Sequence, residues 1–252
     1  MSTFSAVAVI PAFNEAKSIA DIVGRTVRVI ERVIVVDDGS TDETQVTAEA
    51  LGIKVLCHNR NRGKGESLLT GIGTASEMGC DYVVTLDADG QHAPEYILKL
   101  MDRAGPRTIV VGSRLADPQL IPRGRYWANQ TANFFISWAA RHWIQDTQSG
   151  FRIYPLALFD GIRLRRNRRG GFVMESEVLI EACRAGYRVA SVPIPALYET
   201  VLQRPSHFRP VRDITAIVIM VAGKLLARGA DPIGLIISHR ERRKGALPVH
   251  QT

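Results

Sequence analysis

The sequence predicts an α/β fold in which a mostly parallel central sheet is flanked by helices. In the first 115 residues, short apolar runs typical of strands alternate with segments whose apolar residues recur at helical spacing. Four of those runs end in polar, loop-forming residues. Alternation of this kind is typical of parallel strands joined by helical crossovers, and ligands bind beyond the carboxyl ends of such strands. We therefore expect the functional site at that edge of the sheet.

The first half of the chain divides into strands and helices in a regular order. Residues 6–10 form a continuous apolar run ended by Pro11, which predicts a strand buried on both faces. Residues 15–30 place Ile19 and Ile22 near one face of a helix. By the same reasoning we expect strands over residues 32–36, 53–57, 82–86 and 108–111. Further helices are expected from a cap at Ser40 or Thr41 to residue 51, over residues 65–79 and over residues 94–103.

The pattern changes after residue 114. Residues 125–144 carry aromatic and basic side chains without Gly or Pro, which predicts one long helix. We expect a loop and short strand over residues 146–155, a helix over 175–185 and a strand over 189–192. Residues 213–227 predict an amphipathic helix, and the residues from 239 onward predict a basic, frayed tail.

Composition excludes several classes of protein. The chain has 252 residues, of which 46% are apolar and 23% charged, so it is globular rather than disordered. A formal net charge of +7 points to an anionic partner such as a phosphate, a nucleic acid or an acidic membrane. The three cysteines are far apart, which argues against a zinc site or a disulfide framework and fits a reducing compartment. We find no signal peptide and no apolar run long enough to span a bilayer.

A pair of carboxylates marks the end of the fourth predicted strand. Asp87 and Asp89 lie two residues apart, and Gln91 follows them. Carboxylate and amide oxygens are suitable ligands for a divalent cation such as Mg²⁺ or Mn²⁺. A solvated acidic turn would have the same sequence, but the neighbouring polar strand ends favour the metal site.

Other strand ends carry candidates for nucleotide binding. Asp37 could accept hydrogen bonds from a base or ribose, whereas Asp38 could merely cap the next helix. Glu15 could bind a ribose hydroxyl or could be a first-turn residue favoured by the helix dipole. Residues 61–65 form a cationic, glycine-containing turn whose Lys64 could contact a pyrophosphate, with a plain surface turn as the alternative. Their spacing fits neither the Walker A loop nor the dinucleotide fingerprint.

Four segments in this order resemble glycosyltransferase family 2, whose domain has the Rossmann-like GT-A fold. They are residues 11–15, 35–42, 61–65 and 87–92. A closer resemblance, to the dolichyl- and polyprenyl-phosphate mannose synthases, rests on residues 112–114, 146–152, 175–177 and Ser206 with its basic neighbours. We expect a GT-A domain over residues 1–212, with a donor half over 1–115 and an acceptor half over 116–212. An amphipathic helix and a basic tail over residues 213–252 would follow it.

The resemblance implies a role for each matching position. The donor nucleotide sugar would be bound by Pro11, Phe13, Glu15, Asp37, Asp38, Lys64, Asp87, Ala88 and Asp89. Asp87, Asp89 and Gln91 would hold Mg²⁺ or Mn²⁺. Arg114, Arg125, Asn129, Ser206 and His207 would bind the acceptor, and Glu177 would be a structural or sugar-proximal acid. The catalytic groups would be Asp89, Asp146, Arg114 and Arg209, with Arg209 over the pyrophosphate or the acceptor.

The implied activity is inverting, metal-dependent transfer of a hexose from a GDP- or UDP-linked sugar to a polyprenyl- or dolichyl-phosphate-type lipid. A phosphate acceptor is already anionic, whereas a hydroxyl acceptor needs a general base, for which Asp146 is the candidate. His207 and Asn129 depart from the family pattern on the acceptor side, so a hydroxyl of another lipid or of a soluble molecule stays an alternative. A basic nucleic-acid-binding domain is the alternative of a different class, although acidic strand ends would repel phosphate.

Two segments suit a membrane surface. Residues 134–143 are aromatic and basic, and residues 214–227 are amphipathic. Basic clusters at residues 163–169 and 240–244 could contact anionic headgroups, whereas burial of the same apolar faces in the domain core is the alternative. With the resemblance, we expect a cytoplasmic enzyme bound peripherally to the cytoplasmic face of a membrane. Its partners would be a nucleotide sugar and a lipid acceptor, and not a nucleic acid.

Overall fold

A computed structural model describes residues 5–115, 121, 123–164, 171–195 and 210–245. These residues form one seven-stranded sheet with the strand order β3-β2-β1-β4-β6-β5-β7. The strands are β1 (Ala6–Ala12), β2 (Arg32–Asp37), β3 (Lys54–Cys57), β4 (Tyr82–Thr85), β5 (Thr108–Ser113), β6 (Arg152–Pro155) and β7 (Arg188–Pro193). Only β6 runs antiparallel to its neighbours among them, so the predicted α/β fold with a mostly parallel sheet is confirmed.

Helices cover both faces of this sheet. They are α1 (Ile19–Thr26), α2 (Thr44–Glu49), α3 (Lys64–Glu77), α4 (Ile97–Met101), α5 (Arg123–Ala140), α6 (Ala157–Gly161), α7 (Gly171–Arg184), α8 (Pro210–Leu226) and α9 (Pro232–Gly245), with a 3-10 turn at Pro94–Tyr96. None of the helices in the described part of the chain has the length and apolarity needed to cross a bilayer.

The core lies in two apolar layers, one on each face of the sheet. Strand β1 illustrates why, since its alternate residues point to opposite faces. Val7 and Val9 pack with residues of α3, α5, α7 and α8, whereas Ala8 and Ile10 pack with residues of α1, α2 and α4. A continuous apolar run is therefore buried throughout, as expected for a parallel strand covered on both sides.

Several predicted boundaries are wrong at the helices. The expected cap at Ser40 or Thr41 is not used, because Ser40 Oγ accepts from the Asn14 N–H at 2.9 Å and Thr41 N–H donates to Asn14 Oδ1 at 2.8 Å. Helix α2 instead begins at Thr44, whose N–H donates to Asp42 Oδ1 at 3.0 Å. Ser40 and Thr41 thus join the loop after β2 to the loop after β1.

Residues 239–245 of the expected basic tail belong to helix α9. Asp231 is buried and accepts hydrogen bonds from the Gly234 N–H at 3.1 Å and from Arg141 Nη2 at 2.8 Å, while Arg184 Nη2 lies 2.5 Å away. This carboxylate anchors the first turn of α9 against α5 and α7. Because the partners of Asp231 lie 47 and 90 residues earlier in the chain, local sequence could not reveal this helix.

Candidate active site

The site lies at the edge where parallel strands end. The register pairs Ala12 with Asp37 at the ends of β1 and β2, and Val9 with Thr85 at the end of β4. Because β6 is antiparallel, the loop that precedes it reaches the same edge, where Thr85 Oγ1 donates to the Gly150 carbonyl at 2.8 Å. Residues from distant parts of the chain therefore meet there.

A lysine lies between two carboxylates at the end of β4. The Lys64 ammonium, at the first residue of α3, is 2.6 Å from Asp87 Oδ1 and 3.1 Å from Glu175 Oε2. Burial alone would raise the pKa of Asp87, but the charge on Lys64, its hydrogen bond and the other nearby basic groups, including Arg114, together outweigh burial and hold that pKa at about 2. The two carboxylates in turn raise the pKa of Lys64, against the effect of burial. Asp87 and Lys64 are consequently both charged at neutral pH.

Asp89 has the opposite environment. Burial and then the charge on Asp87 raise its pKa to about 6. Its oxygens accept hydrogen bonds from Gln91, from the backbone N–H at 2.9 Å and from the side-chain amide at 2.6 Å. A second negative charge beside Asp87 is thus costly unless a cation balances it.

These residues fit a hard divalent cation. Two half-buried carboxylates with repelling charges provide oxygen ligands at one strand end, which is the environment such a cation stabilises. The described residues contain no group of three or more His, Cys, Asp or Glu side chains suited to a metal, so water and substrate oxygens would complete the coordination. The Gln91 amide nitrogen faces Asp89 here, so its predicted role as a ligand would need a rotated amide.

His92 lies beneath this pair. Its Nδ1 accepts a hydrogen bond from the Asp87 backbone N–H at 3.2 Å, and its ring packs against Phe151 with centroids 5.4 Å apart. Burial lowers the pKa of His92 to about 4, so the ring is neutral at physiological pH. With Nδ1 as the acceptor, the ring proton is assigned to Nε2, which has no hydrogen-bond partner among the described residues.

Polar side chains lie at and just beyond the ends of β1 and β2. Asp37 is buried, and its Oδ2 accepts from the Ser40 N–H at 3.1 Å, while its Oδ1 has no hydrogen-bond partner among the described residues. Glu15 accepts a hydrogen bond from the Ser18 hydroxyl at 2.8 Å. Of the other residues predicted to bind the donor, Pro11 and Ala88 are buried and Phe13 is half-buried. An unsatisfied, buried carboxylate oxygen suits an N–H or O–H donor of a ligand.

Asp38 has a different role from the predicted one of contacting the donor. Its carboxylate is buried and accepts hydrogen bonds from the backbone N–H groups of Arg62, at 2.9 Å, and Gly63, at 2.7 Å. His58 Nδ1 lies 2.7 Å from the same carboxylate. Both oxygens are therefore engaged by the protein itself, and Asp38 positions the turn that leads into α3.

Arg114 and Asp146 form a buried pair at the end of β5. Asp146 Oδ2 accepts from the Arg114 backbone N–H at 3.1 Å and from its Nε at 3.3 Å, and the Asp146 side chain is 0% exposed. The other oxygen accepts from the Gln148 N–H at 3.2 Å. A general base needs an oxygen that reaches the substrate proton. The predicted alternative of Asp146 as a base is therefore not what this geometry favours, because Asp146 orients Arg114.

The two acids of α7 face opposite directions. Residues two apart on a helix do not share a face. Glu175 contacts Lys64 in the site, whereas Glu177 Oε1 lies 2.8 Å from Lys224 Nζ on α8. Of the two roles predicted for Glu177, structural or sugar-proximal, this contact favours the structural one. Glu175, which the sequence analysis left without a role, is the acid at the site; helical spacing could have distinguished the two.

Some predicted acceptor residues lie outside the described residues. These are Ser206, His207 and Arg209, and they have no structural account. Arg125 belongs to α5, but its side chain is outside the description as well. Asn129, one turn further along α5, is half-buried.

Comparison with known proteins agrees with this architecture. The profile described as Glycosyl transferase family 2 matches residues 7–162. A UDP-N-acetylglucosamine–dolichyl-phosphate N-acetylglucosaminyltransferase of Methanococcus voltae is 31% identical over 215 residues, which cover 75% of this chain and 84% of the relative. The polyprenol monophosphomannose synthase of Mycolicibacterium smegmatis is 29% identical over 198 residues, which cover 74% and 75%.

A solved structure shares the fold. It is glucosyl-3-phosphoglycerate synthase from Mycobacterium tuberculosis, in complex with Mn²⁺, UDP and phosphoglyceric acid. The TM-score is 0.63 with 22% sequence identity, and the match covers 92% of this chain and 80% of the other. The similarity confirms the predicted GT-A architecture.

Proposed function

Because this chain belongs to glycosyl transferase family 2 and is a glycosyltransferase, we propose that it transfers a hexose-type sugar from a nucleotide-diphosphate donor to a polyprenyl- or dolichyl-phosphate-type lipid. The observation that carries the proposal is the Asp87–Asp89 pair beside Lys64 and Arg114. It combines a cation site with fixed positive groups, as required for a diphosphate leaving group and an anionic acceptor. The names of the two relatives support the lipid phosphate as acceptor class.

The donor is assigned to the donor half of the GT-A domain, over residues 1–115. Asp37 has an unsatisfied oxygen that suits an N–H of the base, and Glu15 lies at the neighbouring strand end where a ribose hydroxyl would reach it. Asp87 and Asp89 would hold Mg²⁺ or Mn²⁺, which supplies charge stabilisation to the leaving diphosphate when bound. Lys64 adds a positive charge on the same side.

The acceptor is assigned to the acceptor half, over residues 116–212, together with Arg114 at its border. A lipid phosphate is anionic at neutral pH and can attack the anomeric carbon without losing a proton. It requires a rigid cation that aligns it for in-line attack, with inversion at that carbon. Arg114 is such a group, because Asp146 holds both its backbone N–H and its Nε. The burial of Asp146 supports a phosphate acceptor over a hydroxyl acceptor, which would need a general base.

A membrane face completes the proposal. Among the residues of α8 whose side chains the structure describes, those that face solvent recur at helical spacing and carry no charge: Thr215, Val218, Ile219, Ala222, Gly223 and Leu226. On α9 the exposed Ile233 and Ile236 are followed by a cluster of exposed arginines, Arg240, Arg242 and Arg243. We assign these exposed faces of α8 and α9 to an anionic lipid bilayer, because apolar side chains are complementary to acyl chains and basic side chains to anionic headgroups.

The experiment that tests the donor site is calorimetric titration with UDP and with GDP, first with Mn²⁺ and then with EDTA. We expect metal-dependent binding of one nucleotide, lost in Asp89→Ala and retained in the exposed control Asp102→Ala. Transfer of radiolabelled sugar to a polyprenyl phosphate, compared with the corresponding polyprenol, then tests the acceptor. Binding of neither nucleotide would overturn the proposal, and equal transfer to the polyprenol would overturn its acceptor part.

A further inference from the structure

A buried imidazole holds the carboxylate that positions the turn before α3. His58 Nδ1 lies 2.7 Å from Asp38 Oδ1, and both side chains are almost fully buried. The same carboxylate accepts the backbone N–H groups of Arg62 and Gly63. With Asp38 ionised, Nδ1 carries the proton and donates it to Oδ1, so all three donors converge on one acid.

The other nitrogen of the ring is anchored to α3. His58 Nε2 lies 3.0 Å from Thr70 Oγ1, and because Nδ1 is the donor, Nε2 accepts from the threonine hydroxyl. The backbone of His58 is fixed as well, since its N–H donates to the Asp37 carbonyl at 2.9 Å. The imidazole thus connects the end of β2 with the second turn of α3.

The turn that this network holds leads directly to the site. Its backbone lies against Gly39, where an added Cβ would be 2.6 Å from the Arg60 carbonyl carbon. Lys64 follows Gly63 as the first residue of α3, and its ammonium reaches Asp87. A displacement of Arg62 and Gly63 would therefore move the lysine that faces the proposed cation site.

We propose that His58 is a positioning residue for the sugar donor: through Asp38 it fixes the backbone of Arg62 and Gly63, and so the place of Lys64 beside the diphosphate. The inference rests on the proposed function, which makes Lys64 a ligand of the donor. His58 itself does not touch the donor in this arrangement, and its effect is on donor affinity rather than on the transfer step.

Two substitutions separate the two ring nitrogens. In His58→Asn the amide nitrogen takes the place of Nδ1 and can still donate to Asp38, whereas in His58→Gln the amide reaches toward Thr70 and loses that bond. We expect His58→Gln to weaken binding of the Mn²⁺ complex of UDP or GDP about tenfold, the lower end of what loss of an outer-sphere partner costs. We expect His58→Asn to stay close to the unsubstituted protein. His239→Gln, exposed on α9, is the control.

The kinetic and exchange readouts distinguish positioning from a general loss of stability. For His58→Gln, the donor KM should rise about tenfold while kcat at saturating donor changes little. Amide hydrogen exchange should accelerate at Arg62 and Gly63 and stay unchanged in β1. Rescue of affinity and exchange protection by His58→Asn would support the inference.

Equal donor affinity and equal exchange in His58→Gln and the unsubstituted protein would overturn it. A loss of kcat without a change in donor KM would overturn it too. Failure of the unsubstituted protein to bind either nucleotide would contradict the proposed function, and the exchange at Arg62 and Gly63 would still decide whether His58 holds the turn.

Discussion

At the scale of single residues, two neighbouring aspartates of the site differ in pKa because only one of them contacts a lysine. Lys64 contacts Asp87 directly and, with other nearby basic groups, holds its pKa at about 2 against the effect of burial, while burial and the charge on Asp87 raise the pKa of Asp89 to about 6. Ionisation of Asp89 is therefore unfavourable in the folded protein unless a cation balances the charge. Perturbed carboxylates of this kind are typical of functional sites.

The first prediction concerns the stability of Asp89→Asn without metal. The folded-state pKa of Asp89 lies above its usual value near 3.8, so the aspartate loses stability relative to a neutral amide as the pH rises from about 4 to about 6. Above pH 6 the variant should be more stable by about 1 to 3 kcal/mol. Urea unfolding in EDTA at pH 4 and pH 7.5 measures the difference.

The same experiment with ligands provides the control. Mn²⁺ with the nucleotide that binds should stabilise the unsubstituted protein and leave Asp89→Asn unchanged, because ligands stabilise only the state that binds them. A variant that is less stable at pH 7.5 than at pH 4, relative to the unsubstituted protein, would contradict the environment described for Asp89.

The second prediction separates the two roles considered for Asp146. If Asp146 orients Arg114, the substitution Asp146→Asn should raise the acceptor KM by roughly 10- to 100-fold and leave nucleotide affinity unchanged. A general base would instead contribute roughly 10²- to 10⁴-fold to kcat. Steady-state kinetics at saturating donor distinguish the two roles. A loss of kcat without a change in acceptor KM would support Asp146 as a general base.

At the scale of elements, two helices connect the site with the rest of the fold. Helix α7 presents Glu175 to the site and, on another face, Glu177 and Glu181 to Lys224 of α8, at 2.8 and 2.6 Å. Helix α3 begins with Lys64 and packs across β1 and β2. The positions of Lys64 and Glu175 at the site therefore depend on close packing of both helices.

The third prediction tests that packing with two glycines of α3. A Cβ added to Gly71 would lie 2.4 Å from Val9 Cγ1 and 3.1 Å from Val36 Cγ2, whereas one added to Gly73 meets no described atom within 4 Å. Gly71→Ala should destabilise the protein by about 1 to 3 kcal/mol. Gly73→Ala should be neutral or stabilise it by up to about 1 kcal/mol, because alanine is the better helix former.

Urea unfolding of the two variants, side by side, provides the measurement. Since both substitutions add one methyl group to the same helix, their difference reports the approach of α3 to β1 alone. Equal effects of the two would mean that α3 does not pack this closely.

At the scale of the whole molecule, α8 packs against α5 and α7 and leaves its apolar stripe exposed. Ile219 is 67% exposed on this surface, a large apolar side chain without cover in the described protein. Val46 on α2 is 68% exposed but lies on the opposite layer of the sheet. The two positions make a matched pair for testing membrane binding.

The fourth prediction is that the protein binds vesicles containing anionic lipid and binds neutral phosphatidylcholine vesicles less. Ile219→Glu should reduce binding roughly tenfold, the effect of losing the burial of one large apolar side chain, whereas Val46→Glu should not. Binding should weaken in high salt because the arginines of α9 are screened. Vesicle co-sedimentation measures all three, with nucleotide affinity as a check on folding.

A second copy of the chain is the competing occupant of this surface. Sedimentation equilibrium would then detect a dimer that Ile219→Glu dissociates, and vesicle binding would not respond to the substitution. That outcome would contradict the membrane assignment without affecting the donor site.

Much of the fold was predictable because it depends on local pattern. The buried strands ended at polar residues as expected, since burial on both faces requires continuous apolar runs. The importance of Asp87, Asp89 and Lys64 was predictable because the aspartates lie just after a strand and the lysine lies at the start of a helix. The role of Asp38 was not predictable in the same way, because its partners lie in the turn before α3. Helical spacing separates Glu177 from Glu175, but its partner Lys224 on α8 follows only from the packed fold.

The sequence by itself determined the class of fold, the family and the strand-end residues that face a ligand, because periodicity and strand ends are local properties. Only the tertiary structure decided which carboxylate is paired with a cationic side chain, which is unfavourable to ionise and which positions another residue. Those differences arise from charges and burial contributed by distant elements: Lys64 beside Asp87, Arg114 on Asp146, and His58 on Asp38. Electrostatic roles depend on distances in space, and a sequence specifies those distances only through the packed fold.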